Sequence, residues 1–476
     1  MSAPDLSDLT GRRVLILGLG RNQGGAGVAR WAAERGAALR VTDLRDERAL
    51  RPSLDALTDV EVEEYVLGGH REEDVEWADL VIRNPAVPRE APILEQARRL
   101  GKPVLMEMAL FAMTTEATLV GITGTKGKTT ATNVAYELIA ASGTPAVMVG
   151  NMGIPALQYG ALSPDTVAVA EISSFHVEGM HEARLSPPVA VFTNLLRDHL
   201  DRYATFEEYI EVKASMIDFQ EPSHWAVVPW TCPHRDVIER RVRGRRAYFA
   251  AGGERPPGEH VVWSDGTAIE VAWEGRTQRL CAVDDLPHRG AHNVANVCAG
   301  VCAALLAGVS AEVAAERLPS LRPVENRLES VATVAGVQYV NDTTATTPDA
   351  AAAGTRSFPG RDLVLIAGGG EKGLDQAITA DAAAERARAV VLLPGEATDR
   401  LVEELRARGL SNLAGPVASM AEAVEAASGL AREGTVVLLS PGATSFTLFH
   451  DEFDRGGQFR DAVRGLAAAA ERAPEE

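Results

Sequence analysis

Short apolar runs recur along this chain, most of them closed by glycine, aspartate, asparagine or serine, with alanine-rich amphipathic stretches between them. Runs of that kind are buried strands, and the stretches between them are helices. In the first block the strand-like runs are 13–17, 38–42, 79–83 and 103–106, with a helix expected over 28–35. The pattern fades near Thr114-Thr115-Glu116 and restarts at Ala117, Leu119, Val120 and Ile122. The second block then carries a helix over 131–141, strands at 167–171 and 189–194, and a helical stretch over 206–217. It continues through a glycine- and proline-rich region of short β-like pieces (243–273) and ends in an alanine-rich helix from His292 to about Leu306. A third block begins near Leu321–Pro323, with strands at 337–341, 363–367, 389–393 and 436–440. Alternation of strand and helix predicts α/β domains on parallel sheets, and 476 residues exceed what one core supports. The expected division is 1–115, 116–322 and 323–476: a Rossmann-like domain, a central P-loop-type ATPase domain, and a doubly wound Rossmann-like C-terminal domain.

The most informative segment is GITGTKGKTT, Gly121–Thr130, placed between the strand that opens the second block and the helix that follows. A glycine-rich turn there gathers backbone N–H groups and a helix N-terminus around one point, which favours a polyphosphate. Lys128 brings a mobile positive charge, and Thr129 a hydroxyl suited to magnesium. The full G-x-x-x-x-G-K-[ST] spacing is absent, since Ile122 stands where its first glycine belongs; Gly124-x-x-Gly127-Lys128-Thr129 remains.

Other segments at strand ends are candidates. Gly18, Gly20, Gly24 and Gly25, with Asp43 further on, imitate a dinucleotide fingerprint without meeting G-x-G-x-x-G. They hold NAD, the diphosphate of another nucleotide, or only a tight turn. Glu171 ends an apolar strand and is either a ligand for a hard cation or a surface cap; Ser173 and Ser174 after it read as backbone-binding turn residues. His199, between Asp198 and Asp201, is a metal ligand, an acid/base group or a surface histidine. Lys213 lies beside the apolar face of its helix (Phe206, Tyr209, Ile210), where it either snorkels to solvent or is reactive, for example towards carbon dioxide. Asn293 and Asn296 share a helix face and meet a planar base, or serve as a cap and a surface position. Asp342, in NDTTAT, suits ribose hydroxyls, with Arg327 in reach of the same nucleotide. GGGEK (368–372) and SPGATS (440–445) are further strand-end loops.

Composition narrows the class. Apolar content of 46% and charged content of 24% are those of a globular protein, and no apolar run reaches membrane-spanning length. The opening MSAPDLSDLT has neither a basic nor an apolar signal region. The four cysteines form no CxxC pair, which points to a reducing compartment. A cytoplasmic location is therefore expected. A formal net charge of −19 argues against a general nucleic-acid surface.

TGTKGKTT, GNMGIPAL, EISSFHVE, NLLRDHLDRY, the helix lysine, HNVAN, ENRLE, NDTTAT, GGGEK and LLSPGATSF follow one another in an order that resembles the Mur ligases of peptidoglycan synthesis. The resemblance spans nearly the whole chain, and the glycine-rich opening is similar to the branch that adds glutamate to UDP-N-acetylmuramoyl-L-alanine. It implies an ATP- and magnesium-dependent, cytoplasmic, monomeric amide ligase working through an acyl phosphate. The first domain would hold the UDP substrate (Gly18, Gly20, Asp43), the second ATP and the third glutamate. ATP would meet Gly124, Thr125, Lys126, Gly127, Lys128, Thr129, Thr130, Asn293, Asn296, Arg327 and Asp342. Magnesium would meet Thr129, Glu171, His199 and a carbamate on Lys213, with Lys128, His199 and Lys213 as the catalytic set. Asn151 and Ser173 would face the sugar-peptide, Lys372 and Ser445 the glutamate carboxylates. The chain departs from the family pattern at Thr344, where a lysine is usual, at Thr447, where an aspartate is usual, and at Glu452–Phe453, where an aromatic is displaced. These departures leave D- against L-glutamate open. An NAD-dependent oxidoreductase built on the first block is the alternative from a different class.

Overall fold

The structure is a computed structural model and describes residues 6–20, 24–150, 155–197, 202–287, 290–322, 324–371 and 373–472. Among them twenty strands form three sheets. The first holds β1 (Arg13–Leu17), β2 (Ala38–Asp43), β3 (Glu64–Leu67), β4 (Leu80–Arg83) and β5 (Val104–Leu105), all parallel in the order β3-β2-β1-β4-β5. The second runs from β6 (Thr118–Thr123) through β7 (Ala146–Gly150), β8 (Val167–Glu171), β9 (Val189–Phe192), β10 (Trp225–Pro229), β11 (Arg245–Ala251), β12 (Val261–Ser264) and β13 (Ala268–Trp273) to β14 (Arg276–Ala282). Its order is β14-β13-β12-β11-β10-β9-β6-β8-β7. The third holds β15 (Glu329–Val334), β16 (Val337–Asn341), β17 (Leu363–Ala367), β18 (Ala387–Leu392), β19 (Leu413–Ala414) and β20 (Val436–Leu439), ordered β15-β16-β20-β17-β18-β19.

The strand centres are apolar and buried on both faces, as parallel sheets require: β8, β9, β17 and β20 are buried along their whole length. Antiparallel pairing enters where the chain turns back on itself without a helix. β12, β13 and β14 form a meander, and β15 pairs with β16 across Ala335-Gly336, both with positive φ. These hairpins add antiparallel edges to sheets that are otherwise parallel, as expected; the short β-like pieces expected around 243–273 are β11, β12 and β13. By packing, one unit takes the chain through Asp285 together with Ala295–Ser320, and the other takes Leu286–Val294 and Leu321 onward.

Helix limits shift for local reasons. The helix expected over 28–35 occupies Gly24–Ala33, because only glycine at position 25 allows the helix start to lie against the Leu19 carbonyl. The helix expected from Ala131 begins at Lys128, directly after Gly127. The stretch 206–217 is α-helical only through Ala214 and tightens into a single 3₁₀ turn at Ser215–Ile217. All four cysteines are free and buried. Among the described residues no helix is long and apolar enough to cross a membrane.

The helix after the glycine loop packs on the helix Ala291–Leu306 through Gly300, where an added Cβ would lie 2.7 Å from Val134 and 2.8 Å from the Ala131 carbonyl. Gly300→Ala gains about 1 kcal/mol of helix propensity and loses about 1–3 kcal/mol to overpacking. The expected outcome is a lower melting temperature, measured by circular dichroism; an unchanged or higher one contradicts this packing.

Candidate functional site

The glycine loop is built by two neighbouring strand ends. β6 and β9 are adjacent and parallel, so the turn after β6 and the segment after β9 leave the same sheet edge together. Thr193 Oγ1 and Asn194 Nδ2 both donate to the Lys126 carbonyl, at 2.6 and 2.9 Å. Asn194 in turn accepts from the Lys126 N–H at its side chain (3.0 Å) and from the Thr125 N–H at its carbonyl (3.1 Å). Thr125 Oγ1 donates to the Leu196 carbonyl and accepts from the Leu196 N–H, at 3.1 and 2.9 Å. Gly124 has φ +144° and Gly127 φ +82°, and a side chain at Gly127 would overlap Asn296. Gly127 caps the helix Lys128–Ala141 with no side chain of its own, and its N-terminus faces the loop, the arrangement that suits a phosphate group. Lys128 Nζ is folded back onto the Thr125 carbonyl at 3.0 Å.

At the foot of the loop Thr129 Oγ1 donates to Glu171 Oε2 at 2.7 Å, and Glu171 is 2% exposed at the end of β8. A hydroxyl and a carboxylate oxygen beside a phosphate seat are a hard donor set that fits magnesium. His176 lies close by. Burial pushes it down to about 4 against the pull of Glu171, so it is neutral at physiological pH and adds no competing charge. Ser173, expected at the substrate, spends its hydroxyl as the N-cap of the helix Ser174–Glu182, accepting from the His176 N–H. Among the described residues no three His, Cys, Asp or Glu side chains cluster as a metal site. His199, Asn151 and Lys372 lie outside the described residues.

Lys213 is 2% exposed on the last turn of the helix Phe206–Ala214, which rules out the snorkelling alternative. Its Nζ lies 5.0 Å from the ring centre of Tyr209, whose hydroxyl reaches Thr125 Oγ1 at 3.3 Å. The buried lysine is thereby keyed to the glycine loop.

In the first sheet, Gly18 and Gly20 adopt positive φ as expected of the turn after β1. Asp43 is 3% exposed, and its oxygens accept from the Gly20 and Arg45 N–H groups, both at 2.9 Å. The structure uses it to hold the turn. Asp342, at the end of β16, is similarly engaged: Oδ1 accepts from the Leu328 N–H (3.2 Å) and Oδ2 from Ser440 Oγ (2.7 Å). Burial pushes its carboxyl up to about 7. Arg327 stands between Asn326 and Leu328, both at positive φ (65° and 47°), so its backbone is set by a strained loop. Thr344 Oγ1 donates to the Asn326 carbonyl at 2.9 Å. Ser445 is 3% exposed, and its hydroxyl has no hydrogen-bond partner among the described residues. Asn293 and Asn296 are both buried near the start of their helix.

Residues 12–106 match the Mur ligase MurD-like N-terminal domain, 122–304 the Mur ligase middle domain, and 326–442 the Mur ligase glutamate ligase domain. A UDP-N-acetylmuramoylalanine–D-glutamate ligase of Roseiflexus sp. (strain RS-1) is 39% identical over 466 residues, covering 96% of this chain and 99% of the relative. The chain belongs to the Mur ligase family. A ligase of the same name from Geobacter metallireducens is 38% identical, with 96% and 98% covered. Among solved Mur ligases, MurC of Thermotoga maritima aligns with a TM-score of 0.60 at 19% identity over 95% of this chain and 99% of that one. MurF of the same organism, in complex with ADP, aligns at 0.59 and 16% identity over 99% and 100%. These two share the fold. Membership of the Mur ligases overturns the NAD reading of the first block, whose fingerprint aspartate is in any case occupied by its own turn.

Thr193, Asn194 and Leu196 brace the Mur ligase loop; Asn194 and Leu196 lie in the NLLRDHLDRY segment, but no residue type there announces the bracing. Arg455 escaped notice as well: fully buried, it donates to Thr343 Oγ1 (2.9 Å), the Thr343 carbonyl (2.8 Å) and the Ala443 carbonyl (3.3 Å), tying the loops after β16 and β20. The signal available was the arginine in DEFDRGGQF, within an otherwise amphipathic helix.

A carboxyl whose folded pKa lies above its unfolded value stabilises the fold below the unfolded value and loses that contribution as pH rises through the folded one. For Asp342 the window runs from ~4 to about 7, and the loss is of order 4 kcal/mol. Asp342→Asn is expected to flatten this part of the pH–stability profile and to be the more stable protein at pH 8. Parallel profiles for the two proteins in thermal melts contradict the assignment.

Proposed function

We propose that this chain is an ATP-dependent ligase of peptidoglycan precursor synthesis that joins D-glutamate to UDP-N-acetylmuramoyl-L-alanine. The observation that carries the reading is the Thr129–Glu171 pair at the foot of a braced glycine loop, in a chain whose full-length relatives are named as ligases of that substrate. The domain limits proposed are 1–115 for the UDP substrate, 116–322 for ATP and 323–476 for glutamate. The protein is proposed to act as a cytoplasmic monomer. D-glutamate is preferred over the L-enantiomer because the relatives bear that name, although Thr344 and Thr447 depart from the family pattern at the amino-acid end.

In this reading the loop amides of Gly124–Thr130 and the Lys128 ammonium hold the triphosphate, and Asn293, Asn296, Arg327 and Asp342 border the nucleoside. Thr129, Glu171 and His199 would hold magnesium, with Lys213 joining them as a carbamate, and an ion held there would supply positive charge against the phosphates. The alanyl carboxylate takes the γ-phosphoryl group of ATP with release of ADP, and the glutamate amine then displaces phosphate from the acyl phosphate, losing a proton as the amide forms. Preorganised donors at the loop stabilise the charge that develops. Asn151 faces the sugar-peptide and Ser173 borders it through the helix start it caps, Gly18, Gly20 and Asp43 shape the UDP turn, and Lys372 and Ser445 take the glutamate carboxylates. The buried Ser445 hydroxyl supports the last assignment, since a buried polar group is normally paired.

Phosphate release measured with UDP-N-acetylmuramoyl-L-alanine and each glutamate enantiomer tests the reading. Turnover with the D form is expected; turnover with only the L form corrects the stereochemistry, and none with either refutes the function. Lys213→Ala is expected to lower kcat by about a hundredfold or more, with partial recovery on adding a small carboxylate. Wild-type activity in that variant would sink the carbamate.

A further inference from the structure

We propose that a cavity between the edge of the first sheet and the helix Ser174–Glu182 binds a small free oxyanion of the inorganic phosphate type. The cavity is about 220 Å³ and is lined by Arg83, Leu94, Arg98, Lys102, Val104 and Glu182. It shares no residue with the glycine loop or with the turn after β1. In a chain of net charge −19, it gathers three cationic side chains around one carboxylate.

Each cation gives its shortest hydrogen bonds to backbone carbonyls, while its carboxylate neighbours (Glu182 for Arg83, Glu95 for Arg98, Asp79 for Lys102) stand further off or act only at range. Lys102 Nζ donates to the carbonyls of Glu76 and Ala78, at 3.0 and 2.6 Å, and an ammonium has three donors. Arg98 Nη2 donates to the Arg89 carbonyl at 2.6 Å, and its other terminal nitrogen lies 3.5 Å from Glu95. Arg83, 2% exposed at the end of β4, donates through Nη1 to the Val87 carbonyl at 3.0 Å. Its Nη2 meets Glu182 only at 3.3 and 3.5 Å, longer than a well-formed charge-assisted bond. A desolvated guanidinium with one loose carboxylate partner, flanked by two more cations, attracts a second anion. A volume below about 300 Å³ is small for a nucleotide and sufficient for a tetrahedral oxyanion with water. Glu182, 37% exposed at its side chain, is the group such an anion displaces from Arg83.

That competition gives the test its sign. Inorganic phosphate is titrated calorimetrically into the full chain with a non-hydrolysable ATP analogue held at saturation, so that the glycine loop is filled. The wild type is expected to bind one equivalent. Arg98→Gln/Lys102→Gln is expected to bind at least tenfold more weakly, and Glu182→Gln at least threefold more tightly with unchanged ligase turnover. A role confined to interdomain packing predicts no tightening. Absent binding in the wild type, equal affinity in the double variant, or weaker affinity in Glu182→Gln overturns the proposal. Should the double variant fail to fold, the Glu182→Gln arm decides alone. Displacement of the phosphate by uridine monophosphate, dependent on Lys102, would overturn the choice of a free oxyanion.

Discussion

The Lys126 carbonyl, fixed by Thr193 and Asn194, is the contact on which the candidate site depends. A glycine loop is pliable by composition, and pliability is costly for a phosphate seat, which must order its amides each time a ligand arrives. Here the cost is met in the fold itself. Two adjacent parallel strands end side by side, and the segment leaving one supplies the hydrogen bonds that hold the turn leaving the other. Gly127 then accepts a left-handed conformation, with Asn296 closing the space a side chain would need. The buried Lys213 and the Thr129–Glu171 pair are arranged around that fixed turn through Tyr209 and the end of β8.

Much of this was legible beforehand. Strand, glycines, lysine and hydroxyl occur in the order a phosphate loop needs, and the strand ends that bear Glu171 and Asp342 follow from apolar runs. The bracing was not legible, because a threonine and an asparagine after a strand are ordinary loop residues until a neighbouring strand end is known. Nor was the burial of Lys213: its flanking pattern suits a snorkelling side chain equally well. The meander β12–β14 was visible only as short β-like pieces of unresolved pairing ending at 273, so that β14 was not foreseen, since runs this short lack a strong period. Positive φ at Leu328 has no counterpart in residue type, whereas asparagine at 326 is a type that tolerates it.

Two carboxylates teach the same lesson about strand-end aspartates. Asp43 and Asp342 sit where ribose-binding acids are expected, yet each is buried with its oxygens engaged by its own loops. Their first task is to shape the turn a ligand would meet. Arg455 does the same from the cationic side, a buried guanidinium spent on carbonyls and a hydroxyl of two loops rather than on a counter-ion.

The central claim is that the glycine loop is a preformed ATP seat whose shape rests on Gly127. Equilibrium binding of an ATP analogue with magnesium to wild type and Gly127→Ala measures this most directly. A side chain at a positive-φ position, overlapping Asn296, is expected to weaken binding by about tenfold or more while the melting profile stays cooperative. Equal affinity in the two proteins would contradict the account.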